Sequence, residues 1–290
     1  MRKKILIISV ILIVVLMSMV SCSAVSKFFS NANTVNYQIS VDDLEDVSIG
    51  SIVASNSVNS CARIVSYFNI GGSQHSVSGA GFIITADGYL ITNRHVVVVY
   101  TKNALSSDYK LEKDSTYNYA KEPTEIRVVF ADRTYVTATL CYYIDDAEEL
   151  DLAILKLNPI TPTVYTSLQI DKTSTLYYGQ SVFTFGNPEG IGLLFTTANI
   201  ANPSMPLSSE ARYESIMIDG NINHGNSGGV LLDNNSRVIG VVFARVEAKS
   251  GSSPTAYGIG CAIKSADLVD FIDGSGLKSS INYSIYNPGE

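Results

Sequence analysis

The feature that most constrains the fold is an alternation that begins at Ser60, in which short β-branched or aromatic runs are separated by turns rich in glycine, asparagine and aspartate. Runs of about four to eight such residues predict β-strands. Many short strands at this spacing predict an all-β fold built as barrels or as a sandwich. The predicted strands are Ala62–Tyr67, Ala80–Ile84, Tyr89–Thr92, Ile126–Phe130, Tyr135–Tyr142, Leu152–Leu157, Ser181–Phe185, Ser215–Ile218, Gly229–Leu232 and Val238–Ala244.

Other sequence patterns predict the turns, the crossing, the helix and the loop that connect these strands. Ala86–Gly88 and Asp132-Arg133 stand between paired runs and predict hairpin turns. The proline-containing segment Asn158–Ser167 predicts a crossing between two β lobes. Near the end, Ser265–Ile272 predicts a short helix with Ser265 as its N-cap. The polar segment Lys102–Thr124 has no period and predicts a surface loop.

Composition narrows the class of protein. With 46% hydrophobic and 16% charged residues, the 290-residue chain can bury a large core, which argues against a disordered or coiled-coil protein. The formal net charge is −7 at pH 7, and the first 21 residues hold three basic residues and no acidic one. Phosphate backbones repel such a surface, so we expect no nucleic-acid partner.

The N-terminus has the pattern of an export signal. Arg2-Lys3-Lys4 precede an apolar run from Ile5 to Val20, which is short for a membrane span. The run ends in Met19-Val20-Ser21-Cys22, which resembles a bacterial lipobox with Cys22 as the lipidated residue. We therefore expect a lipoprotein signal at residues 1–21, a tether at 22–47 and an extracytoplasmic protein held at the cell membrane. An uncleaved anchor and release after cleavage remain alternatives.

The other cysteines do not suggest a metal site or a disulfide framework. Cys61, Cys141 and Cys261 are an odd number, widely spaced, and form no Cys-x-x-Cys or Cys/His pattern. All three lie in apolar runs, which predicts small buried hydrophobic residues. We expect neither a metal nor an organic cofactor.

Three residues in distinctive settings indicate nucleophilic catalysis. Ser227 lies in Gly225-Asn226-Ser227-Gly228-Gly229, where glycines allow a sharp turn that aims the amides of Gly225 and Ser227 at a developing oxyanion. Asp151 opens an apolar strand, and His95 follows a predicted hairpin. A serine needs a nearby base to attack an amide, and the base needs a group that holds its tautomer.

Four motifs in this order resemble the HtrA (Deg) type of trypsin-like serine protease. They are Gly79–Ile84 followed by Asp87–Val97 around the histidine, Asp151–Leu157, Phe185–Pro188, and Ile222–Gly229 around the serine. The order His, Asp, Ser is that of the chymotrypsin fold, and the resemblance covers about residues 48–275.

This resemblance implies two stacked six-stranded antiparallel barrels and a short C-terminal helix. It implies a protease domain at 48–277, with barrel 1 at about 48–160, barrel 2 at about 165–263, the helix at 265–272 and a tail at 278–290. It also implies roles: Ser227 attacks the peptide carbonyl, His95 transfers the proton, Asp151 orients His95, and an acyl-enzyme is then hydrolysed. Only 63 residues follow Ser227, so we expect no PDZ domain.

The sequence departs from the family pattern at two positions. Arg94 stands where many relatives have asparagine, and Val230 replaces a common proline. Neither is expected to touch a catalytic atom. Cleavage after lysine or arginine would need an aspartate six residues before the serine. That position is Asn221, so the resemblance implies cleavage after small or aliphatic residues, with Asn221 facing the pocket.

These observations predict an exported serine endopeptidase whose partners are unfolded or surface polypeptides. Two alternatives from another class stay open: a chaperone-like module whose oxyanion loop is collapsed, and a surface lipoprotein that binds other components. Loop geometry separates the first alternative from an enzyme, and residue types do not determine that geometry.

Overall fold

The computed structural model describes residues 47–146, 150–206, 212–220, 222–245 and 258–288. The predicted signal, Cys22, Asn221 and the predicted tether up to residue 46 lie outside these ranges. The described residues form two closed six-stranded antiparallel barrels, which confirms the predicted fold.

Barrel 1 has the strand order β1-β2-β3-β9-β8-β7. Glycines and aspartates end the runs and allow the hairpins, as in the β2–β3 turn, where Gly88 adopts φ of 92°. The long hairpin of β1 and β2 pairs Cys61 with Phe82 at one end and Ile70 with Ser73 at the other. The strands are β1 Cys61–Ile70, β2 Ser73–Ile83, β3 Tyr89–Thr92, β7 Glu125–Val129, β8 Tyr135–Tyr143 and β9 Ala153–Asn158.

Barrel 2 repeats this plan with the order β10-β11-β12-β15-β14-β13. The connection from β9 to barrel 2 buries Tyr165, Leu168 and Ile170, so it packs closely on its way between the lobes. The strands are β10 Ser181–Gly186, β11 Leu194–Pro206, β12 Glu214–Asp219, β13 Val230–Leu232, β14 Val238–Arg245 and β15 Ile259–Lys264.

The segment predicted as a loop at Lys102–Thr124 contains regular structure, so that prediction was wrong in part. β4 Val99–Thr101 pairs with β5 Tyr109–Lys110 and with β6 Tyr119–Lys121 in a small three-stranded sheet. Tyr117 explains why the polar segment folds: the ammonium groups of Lys102 and Lys110 lie over its ring, and the ring packs against the core of barrel 1.

In the described part of the chain, three α-helices flank the barrels: α1 Ile49–Ser57, α2 Arg94–Val97 and α3 Ser265–Gly274. A 3₁₀ turn, Val58–Ser60, follows α1. The Ser48 side chain caps α1 by accepting from the Ser51 amide. The predicted Ser265 cap was wrong: Lys264 is the N-cap residue of α3, and the Ser265 hydroxyl instead donates to the Asp171 carbonyl at 2.6 Å.

One hydrophobic core joins the two barrels. Phe82 and Ile91 from barrel 1 pack in the same cluster as Phe185 and Val230 from barrel 2, and the buried face of α3 completes it. This shared core fixes the barrels against each other, because close-packed interiors resist displacement. Cys61 and Cys261 are buried as predicted, whereas Cys141 is exposed, since alternate residues of β8 face outward.

Two features are absent from the described ranges. No helix there is long and apolar enough to span a bilayer. No group of histidine, cysteine, aspartate and glutamate side chains within those residues has the arrangement of a metal site.

Candidate active site

The structure brings His95 and Asp151 together at the edge of barrel 1. His95 lies in α2, directly after β3, and Asp151 lies two residues before β9, which pairs with β3. The His95 Nδ1 atom is 2.5 Å from Asp151 Oδ2, and the His95 amide donates to Oδ1 at 3.0 Å. The Asn93 side chain donates to the Asp151 carbonyl at 2.6 Å. With Nδ1 held by the carboxylate, Nε2 is the nitrogen left to accept a proton.

The two side chains shift each other's titration. Burial lowers the pKa of His95, but the charge and hydrogen bond of Asp151 outweigh burial and raise that pKa above its usual 6.5. Burial raises the pKa of Asp151, but His95 and Arg94 outweigh burial and hold it below its usual 3.8. The aspartate therefore stays ionised and stabilises a positive charge on the imidazole.

Arg94 also belongs to this cluster, contrary to the expectation that it touches no catalytic atom. Its Nε lies 4.0 Å from Asp151 Oδ1, and its side chain is 5% exposed. Its Nη1 donates to the carbonyl of Ile144 at 3.0 Å and to that of Asp146. Arg94 stands between Asn93 and His95 and just before an apolar run. A charged residue in that setting was the sequence signal that could have indicated its contact with Asp151.

Ser227 is tied to barrel 1 through its backbone. Its carbonyl accepts a hydrogen bond from the Ala80 amide of β2 at 2.8 Å. Gly228 adopts φ of 83°, and a Cβ there would collide with the Ala80 carbonyl and the Thr92 hydroxyl. Only glycine permits this close approach, which brings the serine turn of barrel 2 against the strands that carry His95.

The Ser227 hydroxyl donates to the Phe243 carbonyl at 3.3 Å. Among the described residues it makes no hydrogen bond to His95. The side chain would therefore have to rotate about χ1 for the hydroxyl to reach Nε2. Rotations of this kind between staggered rotamers are fast on the timescale of catalysis.

The turn before Ser227 is held by the loop after β10, which begins with the Gly-Asn-Pro motif. The Glu189 amide donates to the His224 carbonyl at 2.7 Å, and the Asn187 amide donates to the Gly225 carbonyl at 3.2 Å. Gly225 adopts φ of 94°, and a Cβ there would collide with the Asn187 carbonyl. The His224 carbonyl and the Gly225 N–H belong to one trans peptide and point in opposite directions. The hydrogen bond from Glu189 to this carbonyl therefore turns the Gly225 N–H away from the loop.

Both predicted oxyanion donors lack an acceptor among the residues that the structure describes. Within the described part of the chain, neither the Gly225 amide nor the Ser227 amide donates a hydrogen bond. Paired free amides at a sharp turn are the arrangement that stabilises a tetrahedral oxyanion. Sequence reasoning did not identify Glu189 as a support for this turn. Its φ of 52° is a backbone property that residue type does not reveal.

Comparison with known proteins places the chain in a family. The family described as "Trypsin-like peptidase domain" matches residues 79–241, a segment that contains His95, Asp151 and Ser227. The chain belongs to this family.

Relatives of this trypsin-like chain are HtrA-type proteases, which confirms the resemblance. "Probable periplasmic serine endoprotease DegP-like" from Brucella suis biovar 1 is 30% identical over 204 residues, which are 70% of this chain and 34% of that protein. "Protease Do-like 1, chloroplastic" from Arabidopsis thaliana is 28% identical over 190 residues, which are 63% of this chain and 36% of that protein. The chain thus spans about a third of the length of these relatives.

A solved structure gives the same likeness in three dimensions. It is a serine-to-alanine variant of the HtrA-type protease AlgW with a tripeptide. It matches with a TM-score of 0.58 and 25% identity, over 79% of this chain and 63% of that one.

Proposed function

We propose that this trypsin-like chain is a serine endopeptidase in which Ser227 is the nucleophile, His95 the general base and Asp151 the residue that orients the base. The observation that carries the proposal is the His95–Asp151 hydrogen bond of 2.5 Å, formed beside a Ser227 turn that is fixed to barrel 1 by the Ala80 amide. A base with a fixed tautomer and a nucleophile on the facing lobe are the two requirements of acyl transfer.

For each step of the proposed reaction, a group among the described residues can perform the chemistry. The Ser227 hydroxyl leaves the Phe243 carbonyl, gives its proton to His95 Nε2 and attacks the peptide carbonyl carbon. The amides of Gly225 and Ser227 hold the oxyanion. His95 then protonates the leaving amine, and water, activated by the same imidazole, hydrolyses the ester and frees the acid product.

Substrate and location are further parts of the proposal. We propose extended segments of unfolded or surface proteins, cut after small or aliphatic residues, with Asn221 in the pocket. Export is supported by the basic and apolar N-terminal sequence and by relatives named as periplasmic proteins. Lipidation at Cys22 would hold the protein at the outer face of the membrane.

A chaperone-like binding protein is the second candidate. It is favoured by one observation: the Ser227 hydroxyl is engaged by Phe243 and makes no described hydrogen bond to His95. A serine held permanently in this way would not be activated. The amides of Gly225 and Ser227 argue against this candidate, because a collapsed loop would place a protein carbonyl against them and the described residues supply no such acceptor.

Covalent labelling with a fluorophosphonate probe tests the proposal. The wild-type chain should be labelled, and Ser227→Ala and His95→Ala should not be. Degradation of denatured casein should disappear in the same two variants. A folded wild-type protein that is not labelled and does not degrade casein, yet suppresses its aggregation, would overturn the enzyme proposal in favour of the binding protein.

A further inference from the structure

A cleft of about 900 Å³ lies away from the triad residues, between α1, the β7–β8 turn and the start of β11. None of His95, Asp151 and Ser227 lines it. Its lining combines serine and arginine side chains with apolar and aromatic ones, which include Val58, Phe130, Phe185, Leu193 and Phe195. Phe195 packs against Phe183 and Phe185, at ring-centroid distances of 5.7 and 5.1 Å. The volume is that of a small-molecule site.

The charge of this cleft is opposite to that of the chain. Arg63 and Arg133 line it, and its described lining contains no carboxylate, although the net charge of the chain is −7. The Arg63 Nε atom is buried and has no hydrogen-bond partner within the described ranges. Arg133 forms no ion pair with a described residue. A buried donor without an acceptor costs free energy, which an anionic ligand would recover.

We propose that this cleft binds an amphipathic carboxylate with a long apolar tail, of the fatty-acid class. The carboxylate would pair with the guanidinium groups of Arg63 and Arg133. The tail would lie against the phenylalanine side chains, where each buried methylene strengthens binding about fourfold.

The cleft is also connected to the oxyanion turn, and this part of the proposal depends on the proposed function. Arg63 Nη1 donates to the Gly190 carbonyl at 3.3 Å. Gly190 follows Glu189, whose amide holds the His224 carbonyl at 2.7 Å. A carboxylate bound at Nε would draw the Arg63 guanidinium into the cleft, lengthen the hydrogen bond from Nη1 to Gly190 and loosen the contact that orients the Gly225 amide. Occupancy of the cleft therefore slows acylation of Ser227.

Calorimetry with the full chain carrying Ser227→Ala tests the site without relying on activity. Sodium dodecanoate should bind one molecule per chain, and dodecan-1-ol and dodecyltrimethylammonium should bind at least about tenfold more weakly, since they lack the charged hydrogen bonds. Arg133→Gln, on the exposed turn, and Arg63→Gln should each weaken dodecanoate binding by about tenfold. Arg127→Gln, outside the cleft, should bind as strongly as the parent.

A cleft-filling change completes this test. Ala54→Phe, on the α1 face that lines the cleft, should abolish binding of dodecanoate. Equal affinity for dodecanoate and dodecan-1-ol would overturn the site. So would binding that survives both Ala54→Phe and Arg133→Gln.

The rate of fluorophosphonate labelling of the chain that keeps Ser227 tests the connection between the cleft and Ser227. Dodecanoate should slow fluorophosphonate labelling about threefold, the effect of one ordinary hydrogen bond, and dodecan-1-ol should not. Arg63→Gln should label slowly without ligand and respond no further. Confirmed binding with an unchanged labelling rate would overturn the connection. A chain that is never labelled would contradict the proposed function, and calorimetry would still decide the cleft.

Discussion

The Arg94 guanidinium lies beside the Asp151 carboxylate, with Nε 4.0 Å from Oδ1, and it is almost completely buried. It also donates to the carbonyls of Ile144 and Asp146, so it holds the chain just before Asp151. Asp151 thus faces two cationic partners, Arg94 and the protonated form of His95. The positive charge of Arg94 competes for the same carboxylate and opposes protonation of the imidazole, so Arg94 lowers the pKa of His95.

Arg94→Gln should therefore move the acid limb of the activity profile to higher pH. His95 must be neutral to accept a proton, and without the nearby positive charge its pKa, already above 6.5, rises further. The rate of fluorophosphonate labelling as a function of pH measures this. Arg94→Lys keeps the charge and should lie closer to the wild type. A slower rate with an unmoved profile would mean that Arg94 acts only as a structural clamp.

Gly225→Ala should remove activity while leaving the protein folded. The new Cβ would collide with the Asn187 carbonyl at a φ of 94°, so the peptide that carries the proposed oxyanion donor must turn. Loss of one such donor lowers kcat about 10²- to 10³-fold. Gly276→Ala is the matched control, because it has a positive φ of 74° and no atom within 4 Å of its Cβ. Near-normal kcat for Gly225→Ala would exclude Gly225 as a donor.

The sequence predicted the strands because strand and turn signals are local, whereas the resemblance to trypsin-like proteases implied their closure into two barrels. Alternation in runs such as Tyr89–Thr92, and the turn residues Asp132-Arg133, act within a few residues, and the structure follows them. The segment Lys102–Thr124 was mispredicted because its sheet depends on distant partners. Its lysines are ordered over Tyr117, and that ring packs on barrel 1. Such contacts leave no periodic signal.

The candidate site also combines features that the sequence predicts with features that it does not. His95, Asp151 and Ser227 were chosen by residue type and motif, and the structure brings His95 to Asp151 directly. The position of the Ser227 hydroxyl and the support from Glu189 could not be predicted. They depend on a side-chain rotamer and on one left-handed backbone conformation, and neither is specified by the motif.

Cys141 should react with a thiol reagent much faster than Cys61 and Cys261. It is exposed on β8, whereas the other two are buried, and burial raises the pKa of Cys261 to about 11. In a chain carrying Cys22→Ser, titration with Ellman's reagent should show one fast thiol, and urea should release two more. Adding Cys141→Ser should remove the fast phase. A fast phase that persists would place an accessible thiol in a barrel interior and contradict the packing.

Asn187→Ala should lower both stability and activity, because Asn187 joins the two barrels beneath the oxyanion turn. Its side-chain amide donates to the Ser78 hydroxyl of barrel 1 at 2.7 Å and accepts from the Gly192 amide at 3.1 Å. Leaving these buried groups without a partner costs about 1–3 kcal/mol of the free energy of unfolding, measured by urea denaturation. The loop that holds the His224 carbonyl would also loosen.

The matched control for this change is Asn158→Ala, at an exposed site where the side-chain amide donates to the Thr139 hydroxyl at 2.9 Å and has no other side-chain partner among the described residues. Its effect on unfolding should stay within about 0.5 kcal/mol, with no change in labelling rate. In Asn187→Ala, the labelling rate reports on the oxyanion turn, and the free energy of unfolding reports on the fold. If the labelling rate at a temperature far below unfolding equals that of the wild type, the Gly-Asn-Pro loop stabilises the fold without supporting the oxyanion turn. If labelling falls while Asn158→Ala is unaffected, the loop is part of the machinery that orients Gly225.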